Sequence, residues 1–260
     1  AMIDARCRTA VHTGEHCIRY AGHLAGKNFT VQANLMLNAG VPEAMATAFR
    51  GAQGSLAERM LAALDAAQAV GGDLRGKQSA AILVVAGEAT GQPLQDRLVD
   101  LHVEDDPEPL LELRRLLVLQ TAYESMNRGD HALERDDIDA AVEYYGRAEA
   151  LFPANLEMKF WHAVSLLNAG RTEAAMPLLE EIISVAPGWQ ELLRRLVAAQ
   201  PQNAQAFAEL GELLDEQGDL PAAERAFLKA ESLATEEPYP YLYLARLSIR
   251  RGVESRRILS

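Results

Sequence analysis

AVEYYGRAEALFP (residues 141–153) is answered 34 residues on by AMPLLEEIISVAP (175–187), so that Ala141, Tyr145 and Pro153 fall in register with Ala175, Leu179 and Pro187. The same lattice of small and large apolar positions returns late in the chain as Phe207, Leu210, Gly211, Leu214, Ala223, Phe227 and Ala230. A repeat of this length is one helix pair, too small to bury its own apolar face, and such pairs are stable only when stacked. The period sets frames at 122–155, 156–189 and 204–237, with turns at Asp136-Asp137, Gly170-Arg171 and Gly218-Asp219. Residues 190–203 interrupt the period and predict a short helix that offsets the last repeat. Tyr241, Leu244, Leu247 and Ile249 predict a helix over about 238–252 that caps the open end. Arg250, Arg251, Arg256 and Arg257 at its end suit a helix C-terminus, which favours cations.

A chain of 260 residues has room for two domains with their own cores. Its formal net charge of -12 weighs against a nucleic-acid partner, because phosphate binding needs concentrated Lys and Arg. Neither half is basic: 9 Lys and Arg stand against 13 Asp and Glu in residues 1–109, and 16 against 24 in 110–260. No apolar run approaches the length of a membrane span, and no basic region followed by an apolar one opens the chain. No membrane partner is therefore expected, and a cytoplasmic location is. Cys7 and Cys17 are too few for a disulfide scaffold.

The first hundred residues mix strand and helix signals. Met2-Ile3-Asp4 and Arg8 to His12 predict two short strands around a turn, and Phe29 to Leu35 alternates as a third. Pro42 suits the first turn of a helix running to about Gln53, since its missing N–H costs nothing there. Ser55-Leu56-Ala57-Glu58 is a capping box opening a second helix that stops at Gly71-Gly72. Ser79 to Val85 and Arg97 to Val103 read as two further strands. The acidic, proline-rich segment from Glu104 to Pro109 marks the boundary, giving domains at 1–106 and 107–260.

The C-terminal lattice of Leu-Gly, an aromatic or Leu, then Ala, an aromatic, Ala and Pro resembles the tetratricopeptide repeat. That resemblance implies an all-α array whose groove binds a protein or peptide. The first domain carries His12-Thr13-Gly14, Tyr20-Ala21-Gly22-His23, Asn28-Phe29-Thr30-Val31-Gln32, Asp96 to Leu101 and the run from Gly71 to Ala81. These words resemble the bacterial domain-of-unknown-function family 1028, which is similar to Ntn hydrolases. Ntn hydrolases have a four-layer αββα sandwich and an N-terminal Thr, Ser or Cys nucleophile. By this resemblance Ile3 already corresponds to the middle of the family pattern, so the first strands and the nucleophile's usual place are expected to be missing. Ala33 departs from the glycine that the family tends to have there. The implied fold class is α+β: a partial Ntn-hydrolase-like αββα sandwich followed by a tetratricopeptide-type helical array.

Four polar residues in the family-specific run, Asp73, Arg75, Gln78 and Ser79, are candidates for lining a cleft. The alternative is local: Gly71-Gly72-Asp73 as a helix stop, Arg75 paired with Asp73, and a strand beginning at Gln78. Cys7, His12, His16, Cys17 and His23 crowd one region, but their spacing fits no zinc framework, and neither metal nor cofactor is expected. Cys17 lacks a well-placed base, because its neighbour His16 would face the other way on a strand. No catalytic residue is assigned. In the repeats, Tyr144, Tyr145, Phe152, Phe160, Trp161 and Trp189 are core or groove aromatics, and Trp161, at the sixth place of its frame, is the candidate groove contact. A carboxylate clamp needs Lys, Asn and Arg where this chain has Met126, Asp130, Trp161, Gln205 and Glu209.

The function expected is a protein-interaction or scaffolding module attached to a domain that does not catalyse alone. Two alternatives stand beside it. One is an Ntn-type amide hydrolase when the missing N-terminal half is present. The other is a peptide or cell-wall ligand binding protein. Exposed strand edges in an incomplete sheet predict a homodimer through the first domain.

Overall fold

The computed structural model describes residues 1–198 and 204–233, and the predicted capping helix lies outside them. The chain is α+β and forms two compact units, Ala1–Thr121 and Ala122 onward.

The first unit opens with β1 (Met2–Ile3) and β2 (Thr9–Ala10), antiparallel about a turn. Asp4 closes that turn by accepting the backbone N–H groups of Arg6 at 3.0 Å and Arg8 at 2.9 Å. A hairpin of β3 (Gly22–Gly26) and β4 (Phe29–Ala33) follows. β3 has no strand signal of its own, since its sequence, Gly-His-Leu-Ala-Gly, lacks β-branched residues and Phe, Tyr or Trp and has glycine at both ends. Its conformation is imposed by the partner strand. Gly26 faces Phe29 across the ladder, and a Cβ there would collide with the Phe29 ring.

Next, α1 (Val41–Gly51) carries Pro42 in its first turn. The capping box opens α2 (Leu56–Ala69): Ser55 Oγ accepts from the Glu58 N–H at 3.2 Å, and Glu58 Oε2 accepts from the Ser55 N–H at 2.6 Å. Beyond its end, Gly71 and Gly72 take φ of 121° and 60°, which a side chain would resist. β5 (Ala80–Val85) then pairs antiparallel with β6 (Arg97–Val103), with a bulge at Val84/Val85. α1 packs on β3 and β4, α2 packs on β5, and the two helices pack on each other. Of the layers implied by the Ntn resemblance, the described residues show these helices over strands that form three separate antiparallel pairs.

Ala57, Leu61, Ile82 and Val103 share a core with Leu113 and Leu117, which lie on α3 (Pro109–Leu133). The first unit therefore runs past the acidic break to Thr121, because the opening turns of α3 bury their apolar side chains in it.

The second unit takes the rest of α3, then α4 (Ile138–Leu151), α5 (Leu156–Asn168), α6 (Thr172–Val185), α7 (Gly188–Ala198), α8 (Ala204–Glu216) and α9 (Leu220–Leu233). α3/α4, α5/α6 and α8/α9 are the three expected helix pairs. Their turns are built alike, with Asp136, Gly170 and Gly218 at φ of 57°, 67° and 81°. The residues that interrupt the period form most of α7. That helix does more than space the last repeat: Leu193 and Val197 enter one core with Phe160, Leu179, Ile182, Leu213 and Phe227.

Candidate functional site

In the first unit, Asp73, Arg75, Gln78 and Ser79 line a single cleft of about 580 Å³. Its remaining wall includes Leu64, Ala67 and Gln68 from α2 and Leu110 from α3. Position follows from local structure: the glycine stop of α2 turns the chain, and the loop from Gly72 to Ser79 climbs back to the start of β5. Asp73 bridges Met36 and accepts three hydrogen bonds from Arg75, from the backbone N–H at 2.8 Å, Nε at 3.0 Å and Nη2 at 2.6 Å. Those bonds hold the Asp73 carboxyl down at about 2. The helix stop and the cleft wall are thus the same residues. The Gln78 side-chain amide donates to Asp105 Oδ1 at 3.3 Å, and the Gln78 backbone carbonyl accepts the Asp106 N–H at 2.9 Å. Lys77 is paired with Glu108. Ser79 is exposed, and the lining residues include neither imidazole nor thiol.

Cys7 and Cys17 are free and exposed. His23 Nδ1 shares a hydrogen bond of 2.6 Å with Thr13 Oγ1. Among the described residues no group of His, Cys, Asp and Glu is arranged to hold a metal ion.

In the second unit Trp161 is half-buried, edge-on to Phe160 at 5.5 Å between centroids, and Phe160 is covered in turn by Trp189 of α7 at 4.9 Å. The other clamp places are not open cations. Met126 and Glu209 are buried, Asp130 accepts the Tyr145 hydroxyl, and Glu209 accepts from Thr172 at 2.9 Å. The Gln205 side chain lies outside the described residues.

Three polar arrangements escaped the sequence reading. Glu149 Oε2 meets His162 Nδ1 at 2.5 Å across α4 and α5. Lys159, nearly buried, reaches Glu181 at 2.5 Å. Glu216 hydrogen-bonds Glu180, with Glu212 and Asp215 adding like charge, and its carboxyl is pushed up to about 7. The first two partners lie 13 and 22 residues apart and on different helices, so only the stacking of helices brings them together.

Residues 1–113 match the Family of unknown function (DUF1028), and residues 126–188 and 190–238 match the tetratricopeptide repeat. The chain joins a DUF1028 segment to tetratricopeptide repeats. Among solved structures, the chain is similar to the Arabidopsis OM64 TPR domain at 16% identity, over 51% of this chain and 98% of that one, with a TM-score of 0.29. The second TPR domain of human RPAP3, in complex with an HSP70 peptide, matches at 19% identity over 50% and 98%, TM-score 0.29. MamA from Desulfovibrio magneticus RS-1 matches at 21% identity over 51% and 86%, TM-score 0.27. No curated protein matches the chain. No described helix, in the DUF1028 segment or in the repeats, is long and apolar enough to cross a membrane.

Proposed function

We propose that this chain is a scaffolding module whose tetratricopeptide repeats bind a segment of a partner protein, with Trp161 as the aromatic contact in the groove. Stacked repeats present extended concave surfaces suited to such segments. The observation that carries the reading is Trp161 itself. It is the partly exposed member of an aromatic group whose inner ring, Phe160, is fully buried, and the part of the indole left at the surface suits an apolar anchor. Residues 110–260 carry an excess of acid, and no cation stands at the clamp places described. The partner segment is therefore neutral or basic with apolar anchors, because an acidic tail would meet like charge.

The DUF1028 segment contributes binding rather than chemistry in this reading, and a second copy of the chain pairs with the outer face of β5 and β6. There Leu83, Val85 and Leu98 are each more than half exposed.

Panning the immobilised full chain against a random peptide display library tests the groove. Enriched peptides should be basic or neutral, weaken with added salt if basic, and lose about tenfold or more in affinity to the Trp161→Ala chain. Enrichment of acidic peptides indifferent to Trp161→Ala would overturn both the sign and the site.

A further inference from the structure

The cleft beside β5 has properties that the repeats do not use. Its lining takes in Ser79 and the first residues of β5, Ala80 and Ala81. β5 pairs with β6 on one side, and among the described residues no strand pairs with its other edge. Such an edge offers alternating N–H and C=O groups at the spacing of another strand. The strand reads Ala-Ala-Ile-Leu-Val-Val, uncharged and free of proline, so nothing in its sequence blocks addition. Leu64, Ala67 and Leu110 add apolar surface to the same lining, and the volume of about 580 Å³ lies within the usual range for bound ligands.

The charges around the cleft narrow the ligand. Arg75 is held by Asp73, and Lys77 by Glu108, so no uncompensated cation faces an incoming phosphate or carboxylate. Asp73 and Asp105 already accept hydrogen bonds, from Arg75 and Gln78. What is left is neutral: the Ser79 hydroxyl, and the Gln68 amide lying over Gly72, where a Cβ would come within 2.9 Å of Gln68 Oε1. Groups that both donate and accept without charge, beside a strand edge and an apolar floor, suit a peptide backbone.

We propose that this cleft binds an uncharged, extended peptide segment by adding it as a strand to the second edge of β5, with one apolar side chain seated against Leu64, Ala67 and Leu110. Backbone pairing supplies the affinity, and the apolar floor fixes the register. The neutralised rim makes binding insensitive to salt.

The test uses the full chain and a fluorescein-labelled pentapeptide, Thr-Val-Thr-Val-Thr, blocked at both ends, followed by anisotropy. Two twins carry N-methyl groups, one on the odd and one on the even amides. Only one set of amides can face β5, so one twin should lose about tenfold or more while the other binds within about twofold of the parent. Ala67→Glu should cost at least as much, and the difference between the twins should persist in the Trp161→Ala chain, which separates this site from the groove of the repeats. Because the twins leave the protein untouched, the result does not depend on a variant folding. Equal binding of both twins, equal loss by both, preference for an acidic or basic pentapeptide, loss of the difference between the twins in the Trp161→Ala chain, or no saturable binding would each overturn the proposal.

Discussion

Gly129 lies directly beneath the ring of Tyr145: a Cβ at that glycine would stand 2.9 Å from Tyr145 Cζ. The third repeat repeats the arrangement at the same frame positions, with Gly211 against Phe227 even closer. In the middle repeat both members change together, Ala163 standing where the glycines are and Leu179 where the rings are, and both are buried. The pair is thus a volume-matched contact between the two helices of a repeat, in which glycine admits an aromatic ring and alanine a leucine.

From this it follows that Gly211→Ala should destabilise the repeats by about 1–3 kcal/mol, because the Phe227 ring must leave its rotamer or the helices must part. Adding Phe227→Leu, which recreates the middle repeat's pair, should recover part of that loss despite costing stability alone. Denaturant unfolding of the two single variants and the double variant closes the cycle. Additive effects would mean that glycine and ring do not constrain each other.

The same pair shows how much the sequence disclosed. The period, the turn positions and the apolar faces were legible because each repeat must solve the same packing problem, and the second and third helix pairs fall within the expected frames while α3 starts ahead of its frame, at Pro109. The capping box at Ser55 and the glycine stop at Gly71-Gly72 were legible because each is completed within a few residues. β3 was not, since Gly22 to Gly26 becomes a strand only through its partner. Nor was the burial of Leu193 and Val197, which read as an interruption and instead complete the core between repeats. For the cleft, the sequence offered Asp73, Arg75, Gln78 and Ser79 as a local cluster. The contributions of Leu64, Gln68 and Leu110 depend on how α2 and α3 pack.

Stability of the repeats should fall as pH rises through the range in which Glu216 ionises. Its carboxyl goes from an ordinary value near 4.5 up to about 7 in the fold, owing first to its hydrogen bond with Glu180, then to desolvation and to the charges of Glu180, Glu212 and Asp215. A raised folded value means that the folded state holds the proton more tightly, so the contribution is fully present below 4.5 and lost by about 7. Carboxyls held low, such as Asp73, titrate below this window. Both tryptophans, Trp161 and Trp189, lie in the repeats, so their fluorescence during unfolding at pH 5 and pH 8 reads this unit. Glu216→Gln should flatten the difference. An unchanged slope in that variant would place the titration elsewhere.

Lys159 occupies the frame position held by Phe207 in the third repeat, and its stem is buried while its ammonium reaches Glu181. The stem does the packing. Lys159→Met keeps that stem and removes the charge, so it should change stability by less than about 1 kcal/mol or raise it. Lys159→Ala removes the stem and should cost about 1–3 kcal/mol. Thermal unfolding ranks the two. A methionine variant as damaged as the alanine variant would show that the ion pair, rather than the packing, holds α5 to α6.

Self-association follows from the two rows of side chains on the outer face of β5 and β6. Leu83 and Val85 point outward from β5 at 53% and 56% exposure, and across the ladder stand Asp100 and Arg97, with His102 beyond them. Arg97 and His102 both bond Asp100, at 2.5 and 2.8 Å, so the charged row is internally matched while the apolar row is left to water. A two-fold contact that lays one apolar row against its copy covers both at once, and the charged rows then flank it without meeting an unpaired opposite charge. Light scattering on the eluted chain should give a mass near twice 28.4 kDa, and Leu83→Lys with Val85→Lys should return it to 28.4 kDa with helix content intact. A monomer in the unaltered chain at high concentration, with no dye binding to apolar surface, would show that this face stays open without a partner copy.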